Sequence, residues 1–270
     1  MSTSRKALHA TLVGGTNNQD RYVIGDQFAV VLDGATSFAG DRSHDPGWYA
    51  EQLGRVLSVV LPLGGALTDA VEEAIRAVRD THGLTPGTTP TSTIALARWS
   101  DDALETYVLG DSYVVVLHSD GTEAVHTDER LDSVATRERA RYQEGLAAGH
   151  GYGEEHRATL MELQAEQARH VNRPGGYWIA GAEPAAGQHG LTSSEPRAGV
   201  TAVVLASDGV DVLRHPGATT WGGVYKAANE HGPERVLRQI QDAEDTDPNG
   251  SRWPRAKLHD DKTLVAVPFA

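Results

Sequence analysis

Residues 28–37 read FAVVLDGATS, and the fold turns on how that stretch is read. The run from Phe28 to Leu32 is short, apolar and β-branched at its centre, as in a strand buried on both faces. Asp33 ends the run and Gly34 follows, so a carboxylate leaves the core at a strand tip, where a cleft can open. Taken alone, Asp-Gly is equally a hairpin turn. The device recurs, however, in residues 201–213, TAVVLASDGVDVL, where a second apolar strand delivers Asp208 and Gly209. A short run and the Pro216-Gly217 break follow, rather than the alternating return strand of a hairpin. Asp120-Gly121, by contrast, lies between two alternating runs and does read as a hairpin.

Working outward, residues 7–13 suggest a first strand that ends at Gly14-Gly15. Asp20 lies just ahead of a strand expected to pair with the one carrying Asp33. Pro46 suits a first helical position, with Trp48, Leu53, Val56, Leu57 and Val60 as its apolar stripe. A second helix is expected from Thr68 as cap through Val78. Residues 91–99 read as a strand, and Gly110-Asp111-Ser112 interrupts two further apolar runs. Residues 127–171 are polar, charged and helical, an insertion or lid over a sheet-based core. His150 and His156 are six apart, which is not the i, i+4 spacing of a zinc pair, so both read as surface histidines. Residues 173–181, RPGGYWIAG, suggest a return to strand. Two helices are expected near 221–231 and from Pro233 to Asp245, and Asp260-Asp261 directly precede a last strand at 263–269.

Composition narrows the function. The 270 residues are 39% hydrophobic and 23% charged, as in a soluble globular protein. A net charge of -13 argues against nucleic acid or an anionic membrane as partner. With no cysteine, disulfides, thiolate catalysis and cysteine-ligated zinc are excluded. The N-terminus lacks the apolar core of a secretory signal, and the longest apolar stretch is broken by Pro62, Gly64 and Gly65. A cytoplasmic location is the expectation.

Asp20, Asp33, Asp111, Asp208 and Asp260 all fall where a strand begins or ends. As unrelated turn residues they would need no partner. Gathered in one place they would repel, and protonation or a cation must relieve that. Oxygen-only ligands select hard ions such as Mg2+ or Mn2+, and two such ions roughly 3.5–4 Å apart activate water toward phosphorus.

The order of these segments resembles the metal-dependent protein phosphatases, the type 2C serine/threonine family. The family's Asn-Glu-Asp is similar to Asn18-Gln19-Asp20, its Val-x-Asp-Gly to Val31-Leu32-Asp33-Gly34, and its Ser/Thr-Thr to Thr91-Ser92-Thr93. Its Gly-Asp-Ser stands as Gly110-Asp111-Ser112, its Ser-Asp-Gly as Ser207-Asp208-Gly209, and its Asp-Asn-x-Thr resembles Asp260-Asp261-Lys262-Thr263. The resemblance implies an α+β fold, an α-β-β-α sandwich of two antiparallel sheets, in one domain over 1–270 with the helical insertion at about 127–171. It also implies roles. Asp33 would bridge two Mn2+ or Mg2+ ions, with the Gly34 carbonyl as a further ligand. Asp208 and Asp260 would hold one ion, Asp20 would orient water, and Asp111 would belong to a weaker third ion. Gln19 and Asp261 would support the ligands from behind. The implied reaction is direct in-line attack of activated water on a phosphoserine or phosphothreonine of a protein.

The sequence departs from that pattern at several points. The family's phosphate-gripping arginine falls at Gly15, leaving Arg42 or Arg21 as the nearest substitutes. Gln19 replaces an acid, and Ala35 stands where His or Met often follows Asp-Gly, with His44 as a candidate replacement acid. Asp211 lies three rather than four residues past Asp208. Two alternatives therefore stand beside the protein phosphatase: a hydrolase of small phosphorylated metabolites, and a non-catalytic regulatory or binding module on the same scaffold.

Overall fold

The computed structural model describes residues 6–35 and 44–269. Two five-stranded antiparallel sheets face each other. One runs in the order β1 (Leu8–Leu12), β12 (Lys262–Pro268), β11 (Val200–Ala206), β8 (Tyr113–His118) and β9 (Glu123–His126). The other runs β10 (Leu191–Pro196), β7 (Ala103–Leu109), β6 (Ile94–Trp99), β3 (Phe28–Leu32) and β2 (Arg21–Ile24). A two-stranded ribbon, β4 (Gly34–Ala35) with β5 (Thr91–Ser92), extends past the Asp33 tip.

Period-2 alternation sends the buried apolar residues of the strands either between the sheets or outward onto the helices. From β3, Ala29 and Val31 join Ala95, Val108, Val203 and Val265 between the sheets. Val30 and Leu32 point the other way, onto α1 (Pro46–Val60) and α2 (Leu67–His82), where Tyr49, Leu53, Val71 and Ile75 cover them. On the far side, Val115, Val204 and Leu264 meet α5 (Trp221–His231) and α6 (Pro233–Asp245) through Trp221, Val224, Leu237 and Ile240. The architecture is the expected α-β-β-α sandwich. All five residues of β3 are buried, as its composition required.

The helix ends follow local chemistry. Asp45 caps α1 by accepting the Trp48 N–H at 2.7 Å, ahead of Pro46. The expected cap of α2 at Thr68 is incorrect: the helix starts at Leu67, whose burial draws the first turn two residues earlier, with Ala66 at the cap. Residues 173–181 form only isolated bridges rather than a strand, because β10 occupies the sheet edge and Trp178 stacks on His189 instead. The charged block holds α3 (Thr136–Ala147) and α4 (Glu154–Gln167), joined by a small core of Tyr142, Leu146 and Leu163. There His156 is buried, its Nε2 2.9 Å from the Ala256 carbonyl, and only His150 is a surface residue. No helix among the described residues is long and apolar enough to cross a membrane.

Candidate metal and phosphate site

The strand-end aspartates come from both sheets and meet at one edge of the sandwich. Asp20 precedes β2, Asp33 follows β3, Asp111 lies between β7 and β8, Asp208 follows β11, and Asp260 precedes β12. Asp33 and Asp208 lie close enough for each to perturb the titration of the other. Burial pushes the Asp33 pKa well above the usual carboxylate range, and the charges of Asp20, Asp208, Asp260 and Asp111 add to the shift.

Asp20 is 2% exposed. Its Oδ2 accepts the Ser207 hydroxyl at 2.7 Å, whereas Oδ1 is buried without a hydrogen-bond donor. Burial raises its pKa to about 7, opposed by Ser207 and reinforced by Asp261 and Asp208. Asp111 is likewise raised to about 7, chiefly by desolvation and then by Asp208. Asp208 opens onto the cleft, yet the protein packed around its carboxyl and the charge of Asp260 raise its pKa too.

Close backbone approach holds these tips in place. A Cβ on Gly209 would lie 2.0 Å from the Asp261 carbonyl oxygen, and one on Gly14 would lie 2.3 Å from the Asp260 carbonyl carbon. Both positions therefore require glycine. Asp261 accepts the N–H groups of Gly14 at 2.8 Å and Gln19 at 2.7 Å. Gln19 in turn offers its side-chain oxygen to the Gly47 N–H in the first turn of α1. Both residues thus stand behind the aspartates, while Gly34 pairs with Ser92. The Thr93 N–H donates to the Asp33 carbonyl at 2.9 Å, and the Thr93 hydroxyl meets that of Ser112 at 2.6 Å beside Asp111.

Beneath the site lies a charge network with no sequence signature. Glu244, fully buried on α6, pairs with Arg214 at 2.6 Å, His259 at 2.9 Å and the equally buried Lys262 at 2.9 Å. Lys262 also donates to the Asp260 carbonyl at 2.9 Å, which fixes the loop that carries that aspartate. Above the site is a cleft of about 350 Å³. Asp111, Asp208 and Asp260 line one side, and Arg139, Tyr142 and Gln164 of the helical block line another. The charged block, read from the sequence as an insertion or lid, thus walls the site.

The other expected residues fall outside the cluster. Arg42 lies outside the described residues. Arg21 holds the loop ahead of β2 by donating to the carbonyls of Asn18 and Asp20. Asp211 accepts the Leu213 N–H at 2.8 Å and pairs with Arg214, a local capping role. His44 packs its ring against Trp48.

The donor chemistry suits a hard divalent ion: the site offers oxygen atoms only, carboxyls close enough to raise the Asp33 pKa by their charge, and a buried Asp20 oxygen with no hydrogen-bond donor. Among the described residues, however, no three carboxylate or imidazole groups already converge on one point as a finished chelate.

No family model matches this chain, and no curated protein matches it by sequence. Its fold is nevertheless that of the PPM serine/threonine phosphatases. It is similar over 100% of both chains to the PPM Ser-Thr phosphatase MsPP of Mycobacterium smegmatis, in complex with cacodylate, at a TM-score of 0.55 and 17% identity. A bacterial serine phosphatase matches over 98% of both chains at a TM-score of 0.56 and 12% identity. The catalytic domain of the serine threonine protein phosphatase PstP in complex with two manganese ions matches over 97% of both chains, at a TM-score of 0.51 and 15% identity.

Proposed function

We propose that this chain is a metal-dependent phosphomonoester hydrolase, and that its substrates are phosphoserine and phosphothreonine in proteins. The observation that carries this reading is the gathering of carboxylates from the two facing sheets at one cleft: Asp111, Asp208 and Asp260 line it, and Asp33 lies close enough for their charges to raise its pKa. Asp33 and Asp208, with Asp260 and the Gly34 carbonyl, are the groups that would hold two Mn2+ or Mg2+ ions, and Asp111 would serve a third. Such ions, when bound, supply a water of lowered pKa and neutralise charge on the phosphate. Asp20, fixed by Ser207 through one oxygen, keeps the other free to orient that water. Asp261, Gln19 and Lys262 hold the ligand-bearing segments in register.

The test is phosphate release from p-nitrophenyl phosphate by purified protein with Mn2+, with and without a chelator. Turnover that stops on chelation and is lost in Asp33→Asn supports the reading. A folded protein with no metal-dependent turnover contradicts it. Parallel assays on phosphopeptides and small sugar phosphates separate the protein phosphatase from the metabolite hydrolase. The departures at Gly15, Gln19 and Ala35 favour a second reading, a regulatory module that keeps cations for stability. That module would melt higher with Mn2+ and hydrolyse nothing.

A further inference from the structure

Gly15 is exposed early in the loop after β1 and has no side chain to offer a phosphate. Three arginines and one lysine line the cleft beside Asp111, Asp208 and Asp260. Arg255 is 7% exposed and held by Asp247 at 2.8 Å and by the Leu258, Trp253 and Glu244 carbonyls. Arg214 is pinned between Glu244 and Asp211. Arg139 donates to the Leu131 carbonyl at 2.9 Å and pairs with Asp132 at 3.2 Å.

Lys257 differs from all three. Its side chain is 62% exposed, and its ammonium is hydrogen-bonded to a single carboxylate oxygen, Asp260 Oδ1, at 2.7 Å. The ammonium is therefore a cation on a flexible four-carbon stem, set at the rim of the carboxylate cluster. Once cations balance the charge on Asp260, the hold on Lys257 weakens and its three donors become available to an anion in the same cleft.

We propose that Lys257 grips the substrate phosphate, the role for which the loop at Gly15 provides no side chain; this rests on the hydrolase reading above. A lysine binds phosphate as a point charge rather than through a planar fork. Lys257 approaches from the segment that carries Asp260, and so from the cleft wall opposite the helical block.

The test is titration with inorganic phosphate at saturating Mn2+, followed by calorimetry, together with steady-state kinetics on p-nitrophenyl phosphate. Lys257→Ala and Lys257→Arg are compared with the unmodified chain, and thermal melting confirms that each is folded. The expected result is phosphate affinity about tenfold weaker in Lys257→Ala, the loss of one charge-assisted contact. KM rises in parallel, kcat changes less, and Lys257→Arg recovers most of the loss. If Lys257 only braces Asp260, Lys257→Ala changes Mn2+ affinity and leaves phosphate affinity at saturating Mn2+ unaltered, which overturns the proposal. Failure of the unmodified chain to bind phosphate overturns it as well. Phosphate binding that depends on Lys257 in a protein without turnover upholds the grip and removes only the hydrolase reading.

Discussion

Asp261 Oδ2 accepts the backbone N–H of Gln19 at 2.7 Å, and through that contact the loop carrying Asp20 is tied to the segment carrying Asp260. The other Asp261 oxygen accepts the Gly14 N–H at 2.8 Å, so one carboxylate fixes two points of the β1–β2 loop to the segment ahead of β12. Asp261→Ala removes two hydrogen bonds to a charged acceptor, each worth about 1.5–3 kcal/mol. Chemical denaturation is expected to show a loss of about 3 kcal/mol. Turnover should fall by about 10–100-fold, as for groups that orient ligands. A variant of unchanged stability and rate would mean that the loop is held by something else.

The cation-free cluster should make stability fall as pH rises. Asp20 and Asp111 have folded-state pKa values of about 7, above the unfolded value of 3.8. Between those values the folded chain binds more protons than the unfolded one, so stability declines from about pH 4 to about pH 7 and then levels off. Melting in chelator is expected at a higher temperature at pH 5 than at pH 8, with a smaller difference in Asp20→Asn. An unchanged or opposite trend in Asp20→Asn would show that this carboxyl is not raised.

The Glu244–Lys262 pair is fully buried, and removing Glu244 leaves the Lys262 ammonium only the Asp260 carbonyl. Glu244→Leu is expected to destabilise by about 3–5 kcal/mol. The effect should be larger than in Lys226→Met, whose 4.0 Å pair with Glu230 is exposed. Denaturant midpoints of the two variants measure the difference.

At Gly15 an added Cβ meets nothing within 4 Å. Gly15→Arg should therefore fold normally and supply a bidentate phosphate contact at the position where the family resemblance places one. KM for p-nitrophenyl phosphate is expected to fall about tenfold. An unchanged KM in a folded variant would place the phosphate elsewhere in the cleft.

Much of this was legible in the chain itself. Val30, Val31 and Leu32 announce a doubly buried strand, and Asp33-Gly34 and Asp208-Gly209 announce tips because their flanks do not alternate as hairpin arms do. Pro233 fixes the start of α6 because its ring suits a first helical position. What was not legible depends on contacts between distant segments. The burial of His156 follows from the Ala256 carbonyl, one hundred residues away. Thr68 looked like a cap, but the local preference yielded to the core's demand for Leu67. Lys257 and Lys262 read as ordinary charged residues until Asp260 and Glu244 are placed against them.

The central claim is that carboxylates from both sheets hold divalent cations together, and Mn2+ titration of cation-free protein near pH 8, followed by calorimetry, tests it most directly. The expected result is uptake of two ions by the unmodified chain and loss of that uptake in a folded Asp33→Asn variant. No uptake by the unmodified chain, or equal uptake by Asp33→Asn, would contradict it.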